Sequence, residues 1–355
     1  MTENCEKCGL CLTPLELQRR ENLKKNKPAV YDKIAKYSEK FANKESIAII
    51  QFQYDYRCNF RCEHCCVTQL EKKARFFTME SVKELSRQAD ELGLTHFTIT
   101  GGEPLIFPDL DELVATLDPN KFFIAVDSNG WFLDDEKARH LKSIGVEKVH
   151  LSLDSINPEE HDLFRKKSGS HARVLKAIEA AKKAGLSVLL NTVVTKQRLH
   201  SQEYLDFLRF TTDLDAPVIM MFAKAVGSWE GNTSILLDEK DLEYSRELEK
   251  KFNVITHLTP SYGMDYGCIA VKRIVSITRY GDVMPCPWIH VSLGNFFDEP
   301  LKDILERGMK IKWFGEKQNT CLGSVDRYFI DKYLSSGKPT PVPYDQVFSA
   351  EDFIK

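Results

Sequence analysis

Ten cysteines fall in three groups: Cys5, Cys8 and Cys11; Cys58, Cys62, Cys65 and Cys66; and Cys268, Cys286 and Cys321. In a reducing compartment such groups read as metal ligands rather than disulfides. In the middle group, Cys58-x3-Cys62-x2-Cys65 places three thiolates on one short loop. Three thiolates can ligate three irons of a cubane iron–sulfur cluster and leave the fourth iron open to an outside ligand. A structural zinc site would need a fourth protein ligand. Cys66 and His64 are the residues at hand, and both are geometrically awkward because each adjoins Cys65. On spacing alone both metals stay open.

The elements that must position these cysteines alternate. Ile47–Gln53 reads as a strand. After the cysteine loop, Thr78 caps a helix carrying Val82, Leu85, Ala89 and Leu92 on one face and ended by Gly93. Further strands are expected at Phe97–Thr100, Phe122–Asp127, Val149–Leu153, Val188–Val194 and Val218–Phe222. Helices between them are marked by Leu110–Leu117, Ala138–Ile144, Val174–Ala181 and Tyr204–Leu208, and a sixth fits Asp238–Phe252. Six strand–helix units with short connections predict a parallel sheet with right-handed crossovers. The fold class is α/β, a partial (β/α)6 barrel of the TIM type. Ligands of such sheets gather at the carboxyl ends of the strands. There the cysteine loop, Gly101-Gly102-Glu103-Pro104 and Ser128-Asn129-Gly130 would face one mouth. Residues 1–45 form a polar extension, helical around Leu15–Lys40. Residues 46–225 are the core. Residues 226–355 hold a smaller hairpin-plus-helix module, with Arg279-Tyr280-Gly281-Asp282 at the hairpin turn and a short helix over Pro300–Gly308.

Composition agrees with this. The chain has 355 residues, 43% hydrophobic and 28% charged, which suits a large α/β domain with a smaller module. A net charge of −3 leaves no nucleic-acid footprint. No apolar run approaches a membrane span, and the first residues lack the basic and apolar regions of a signal peptide. A cytoplasmic, reducing location is expected, with neither membrane nor nucleic acid as partner.

Tyr56-Arg57-Cys58-Asn59-Phe60-Arg61-Cys62-Glu63-His64-Cys65 resembles the signature loop of the radical S-adenosylmethionine (SAM) superfamily. Gly101-Gly102-Glu103-Pro104 resembles that family's second motif, in its place after strand two. The resemblance implies a 4Fe–4S cluster on Cys58, Cys62 and Cys65, with SAM chelated at the open iron. An electron, supplied by flavodoxin or ferredoxin, then cleaves SAM to methionine and a 5′-deoxyadenosyl radical. The radical takes a hydrogen atom from an unactivated carbon, while the protein orients that carbon and excludes water. The resemblance also implies the SAM contacts. Gly101 and Gly102 let backbone approach the methionine moiety. Glu103 pairs with its ammonium group, and Arg165 pairs with its carboxylate. Ser128 and Asn129 meet the ribose, with Ser152 and Asp154 as further candidates, and His64 lies against adenine.

Cys268-x12-Gly281-x4-Cys286, followed by Asn295–Ile304 and Cys321, resembles the auxiliary-cluster module called SPASM, or twitch when shortened. The resemblance implies one auxiliary iron–sulfur cluster. The chain departs from the pattern at Cys321-Leu322-Gly323-Ser324, where a serine replaces the second cysteine of a Cys-x2-Cys. The fourth ligand is then an N-terminal cysteine, a hard ligand such as Asp326, or the substrate at an open iron. Cys5, Cys8 and Cys11 have ligand spacing of their own. They read as a second auxiliary cluster, as a zinc site completed from elsewhere, or as a donor to the C-terminal set.

For the substrate, about 45 residues before strand one are too few for the leader-peptide-binding domain of many peptide maturases. The expected substrate is a small metabolite such as a sugar, cyclitol or nucleoside, with peptide modification as the alternative and a non-catalytic electron carrier as a third reading. Lys224, Trp229, Tyr262, Asp265, Tyr266 and Arg279 are candidates to line the pocket. No residue stands out as an acid or base.

Overall fold

The computed structural model describes residues 14–261, 264–334 and 340–354. Cys5, Cys8, Cys11 and Tyr262 lie outside the described residues.

All six expected strands form, with ends shifted by up to three residues: β1 (Ile49–Asp55), β2 (His96–Gly101), β3 (Phe123–Ser128), β4 (Val146–Ser152), β5 (Ser187–Val194) and β6 (Val218–Phe222). They pair in chain order, all parallel. The sheet then continues past them. β7 (Val254–Thr256) adds to β6, β8 (Ile274–Ile277) lies parallel to β1 at the opposite edge, and β9 (Val283–Met284) returns antiparallel from β8. The hairpin that carries Gly281 is thus sewn into the core sheet, which crosses from the expected core into the expected C-terminal module.

Alternation along each strand divides the side chains. On β1, Ile50 and Phe52 are wholly buried outward, under the helices, whereas Gln51 and Gln53 point into the barrel. On β2, Phe97 and Ile99 face out and Thr98 and Thr100 face in. Phe97 meets Phe122 edge-on, with centroids 4.8 Å apart. Burying each such ring contributes about 1.5–3 kcal/mol. The outer layer is therefore the hydrophobic core, and the barrel interior sets polar side chains such as Gln51, Gln53 and Thr98 among apolar ones such as Phe123, Leu189 and Met221.

The helices begin where their caps put them. Thr78 accepts from the Ser81 N–H to start α4 (Met79–Glu91), whose buried face is Val82, Leu85 and Ala89. α5 (Leu110–Leu117), α6 (Asp135–Ser143), α8 (Ser170–Lys183), α10 (Gln202–Asp213) and α11 (Glu239–Lys251) match the expected positions. A helix not foreseen, Pro158–Arg165, is numbered α7 here; α9 is the single turn Lys196–Leu199. Pro158 occupies the first turn of α7 and Asn157 accepts from the Glu159 N–H at 2.9 Å.

The N-terminal extension breaks into α1 (Pro14–Asn26), α2 (Pro28–Ala35) and α3 (Tyr37–Ala42). Pro28 cannot continue the first helix. Lys27 donates to Pro119 O at 2.8 Å and Lys40 to Leu92 O at 2.6 Å. These contacts hold α2 and α3 against the amino-terminal ends of the strands, opposite the cysteine loop. After β9, α12 (Leu301–Lys310) carries the helix expected over Pro300–Gly308.

Candidate active site

The loop 56–66 leaves the carboxyl end of β1 and is held by the backbone of the next strand end. Gly102 N–H donates to Asp55 O at 2.8 Å, and Glu103 N–H to Arg57 O at 2.9 Å. A Cβ on Gly101 would overlap the Asp55 carbonyl oxygen, and one on Gly102 the Arg57 carbonyl oxygen. The two glycines therefore let the motif after β2 close onto the cysteine loop. Cys58 Sγ accepts from the Phe60 N–H at 3.4 Å, and Cys62 Sγ lies 3.9 Å from Arg165 Nη1. Burial pushes the Cys58 thiol up to about 11 and the Cys66 thiol up to about 12. A bound metal is what would draw such protons off. Among the described residues, no three His, Cys, Asp or Glu side chains converge as they would on a single metal ion.

Glu103 is buried at 1% exposure and fully engaged at the end of β3. Its Oε1 accepts from Ser128 Oγ at 2.8 Å and from the Leu105 N–H at 3.1 Å, and its Oε2 from the Asn129 N–H at 2.7 Å. Burial pushes this carboxyl up to about 7 against the pull of those donors. Ser128 also accepts from the Gly130 N–H at 3.0 Å, so its hydroxyl serves Glu103 and the turn. Asn129 Nδ2 donates to Asn59 Oδ1 at 2.9 Å, which ties the third strand end to the cysteine loop.

Arg165, the last residue of α7, is buried behind Cys62 and bonded through Nε and Nη2 to Asp154 Oδ2, each at 2.6 Å. Asp154 Oδ1 accepts from the Val193 N–H at 2.9 Å. Burial raises the Asp154 carboxyl, but Arg165, His64, His161 and Arg198 together hold it down to about 2. Asp154 does not line the cavity, whereas Ser152 and Arg165 do. His64 stacks on Phe164 with centroids 4.6 Å apart and planes 12° apart, and its buried Nδ1 has no partner among the described residues.

The second thiol set lies across the same cavity. Cys268 precedes β8, Cys286 follows β9, and Cys321 starts a turn whose Cys321 carbonyl accepts from the N–H groups of Ser324, Val325 and Asp326. Ser324, at the position of the missing cysteine, is wholly buried and donates to Ala223 O at 2.7 Å. Asp326, considered above as a fourth ligand, instead caps the next turn by accepting from the Phe329 N–H at 2.9 Å. Of the proposed pocket residues, Lys224 and Trp229 line the cavity. Three do not: Asp265 pairs with Lys317 at the surface, Tyr266 lies under Arg246, and Arg279 binds Asp55 Oδ2 at 2.9 Å.

All seven thiols of the middle and C-terminal groups border one cavity of ≈ 1380 Å³. This exceeds the ~300–1,000 Å³ usual for small-molecule sites. Its floor is the barrel interior, where Asp127 Oδ1 and His150 Nδ1 are 2.6 Å apart. This pair and His257, whose buried Nδ1 has no partner among the described residues, carry no motif that would mark them in the sequence. Their signal was present as polar residues in alternate strand positions.

Such a site, at the carboxyl mouth of a parallel barrel with a thiol loop after strand one, is that of a cluster-dependent enzyme. Residues 55–208 match the model of the radical SAM superfamily, and residues 268–324 that of the SPASM iron–sulfur cluster-binding domain. The chain is 30% identical over 269 residues to the GTP 3′,8-cyclase of Nautilia profundicola, covering 70% of this chain and 82% of that protein. It is 25% identical over 288 residues to the AdoMet-dependent heme synthase of Methanosarcina barkeri, covering 73% and 82%. Among solved structures, Streptococcus suis SuiB bound to its precursor peptide SuiA superposes with a TM-score of 0.58 at 18% identity, covering 83% of this chain and 70% of that one. The chain belongs to the radical SAM superfamily. It is an enzyme whose cofactors are SAM and 4Fe–4S clusters, and it carries a SPASM domain. The residues present fit them, with two thiol sets on one cavity and buried polar atoms at Asn59 Nδ2, His64 Nδ1 and Lys224 Nζ that lack partners among the described residues. No helix among the described residues is long and apolar enough to cross a membrane.

Proposed function

We propose that Cys58, Cys62 and Cys65 hold the cluster that receives SAM, that Cys268, Cys286 and Cys321 hold an auxiliary cluster, and that a small metabolite reacts in the cavity between them. When bound, the reduced cluster and SAM supply a 5′-deoxyadenosyl radical that removes a hydrogen atom from an unactivated carbon. The observation that carries the reading is the single cavity bordered by both thiol sets.

The remaining roles belong to side chains. Glu103, fixed by Ser128 Oγ and the Asn129 N–H, presents a carboxylate for the SAM ammonium. Arg165 keeps Nη1 for the SAM carboxylate, while Asp154 holds the guanidinium in place from behind. Ser128 and Asp154 are thus positioning residues. Ser152 and the Asn129 side chain remain the ribose candidates, and His64 on Phe164 forms a flat wall for adenine. Gly101 and Gly102 allow the close packing of both motifs. Cys5, Cys8 and Cys11 are proposed as a further metal site. Residues 1–45, 46–225 and 226–355 are proposed as extension, core and auxiliary-cluster domain. A flavodoxin or ferredoxin in the cytoplasm is the proposed electron donor.

The metabolite reading is supported by the two sequence relatives, which are named for GTP and for heme. The test is anaerobic incubation of the reconstituted enzyme with SAM, a reductant and fractions of a deuterium-labelled extract. 5′-Deoxyadenosine is expected, with deuterium drawn from the low-mass fraction. Absence of 5′-deoxyadenosine overturns the radical chemistry, and deuterium drawn only from the peptide fraction replaces the metabolite by a peptide.

A further inference from the structure

Lys224 follows β6 and is 5% exposed, yet its Nζ has no hydrogen-bond partner among the described residues. A buried ammonium without a partner is costly. It persists where the rest of the structure over-determines its place, and here it does. Ser324 donates to the carbonyl of Ala223 at one end of the segment 223–228. Ser228 N–H donates to Cys65 O at 3.0 Å at the other. The lysine stem passes beside Gly323, and the ammonium sits 4.1 Å above the Trp288 ring. Lys224 lines the same cavity as Cys66, Cys268, Cys286 and Cys321; burial pulls its ammonium below the usual lysine range, and negative charge on those sulfurs pulls it back up. His257, whose ring centroid lies 6.2 Å from that of Trp288, has an Nδ1 without a partner among the described residues and offers no negative charge.

We infer that Lys224 is the counter-charge of the auxiliary cluster and raises its reduction potential. The inference rests on the proposal that Cys268, Cys286 and Cys321 hold that cluster. Reduction adds one negative charge to a cluster. A fixed positive charge in a cavity of low dielectric stabilises the reduced form more than the oxidised one, as do N–H groups directed at cluster sulfurs. A cluster poised in this way accepts an electron. An auxiliary cluster held by Cys268, Cys286 and Cys321 beside Lys224 would supply a one-electron acceptor for a carbon-centred substrate radical, whose neighbouring carbon would lose a proton to solvent as a double bond forms. With the hydrogen atom already taken up by the 5′-deoxyadenosyl group, the substrate has lost two electrons and two protons.

The test uses the full chain with Cys58, Cys62 and Cys65 replaced by alanine, and the auxiliary cluster's signal is the one that a further Cys286→Ala removes. Electron paramagnetic resonance follows its reduction in this background, with and without Lys224→Met or Lys224→Arg. Lys224→Met is expected to shift the one-electron equilibrium towards the oxidised form by tenfold or more, which is about 59 mV. Lys224→Arg, which keeps the charge, is expected to stay within threefold of the parent. An unmoved or raised potential in Lys224→Met, at iron and sulfide counts equal to the parent's, overturns the role of Lys224 and leaves the auxiliary cluster standing. Absence of iron from the cysteine-replaced parent overturns the auxiliary cluster itself, and the inference with it.

Discussion

Arg165 binds Asp154 Oδ2 through both Nε and Nη2 at 2.6 Å, and turns its remaining Nη1 towards Cys62 Sγ at 3.9 Å. The two residues are 11 apart in sequence and come from the end of β4 and the end of α7. Because Asp154 is shielded from the cavity, it acts on the site only through the guanidinium it holds. Asp154→Ala leaves Arg165 buried without its partner. Removing one member of a buried pair costs about 3–5 kcal/mol. Denaturant unfolding of the cluster-free protein is expected to show a loss of that size. The double variant Asp154→Leu, Arg165→Met is expected to recover much of it, yet to bind SAM as poorly as Arg165→Met alone.

Gly102→Ala is expected to separate the motif after β2 from the cysteine loop. The added Cβ meets the carbonyl of Arg57, which is backbone and cannot swing aside. Overpacking of this kind costs about 1–3 kcal/mol. The larger effect is expected on the cluster, because Cys58 directly follows the displaced carbonyl. Iron bound per chain after reconstitution, compared with Gly169→Ala, reads this out. Gly169 has nothing within 4 Å of an added Cβ, although its φ of +78° makes alanine strained there. A fall in iron for Gly102→Ala that Gly169→Ala does not share is the expected result.

Much of this arrangement was legible in the sequence because it is local. Thr78 with its apolar stripe, Gly93 and the Cys58–Cys65 spacing each announce themselves within a dozen residues. Other parts escaped because their causes are not local. β8 is expected as a strand of the hairpin, but its pairing with β1 across more than two hundred residues leaves no local sign, and β7 is too short, at three residues, to show a period. α7 hides behind Asn157-Pro158, a pair that reads as a turn although it serves as cap and first turn. The polar side chains of the floor escaped for another reason. Gln51, Gln53, Thr98, Asp127 and His150 alternate with apolar residues as on a half-exposed strand, and only barrel closure turns that polar face inward. Ser324 was noticed as a missing thiol, but its bond to Ala223 O depends on a contact 101 residues away.

Ser324→Ala separates a structural hydroxyl from a cluster ligand. Its Oγ is bonded to a buried carbonyl, and that bond contributes about 1 kcal/mol. The variant is expected to lose that much stability and to keep the iron of the C-terminal set. Cys321→Ala is expected to lose that iron. The comparison is made in the Cys58, Cys62 and Cys65 alanine background by iron and sulfide counting. Loss of iron from Ser324→Ala as well would make the serine a ligand.

Glu103 ties pH to both stability and SAM binding, with opposite signs. Burial raises its carboxyl from 4.5 to about 7. Between those values the folded protein holds a proton that the unfolded chain has released. The stabilisation is therefore fully present below about pH 4.5 and is lost as pH rises through about 7, on the order of 3 kcal/mol across the whole window. Pairing with the SAM ammonium needs the ionised carboxylate, so binding should tighten over the same rise and release a proton. Glu103→Gln carries neither charge nor titrating proton. It is expected to flatten the stability profile between pH 5 and 8, to weaken SAM binding at pH 8, and to abolish the proton release. Titration calorimetry in buffers of different ionisation enthalpy measures that release. A Gln variant that still released a proton on binding SAM would move the linkage away from Glu103.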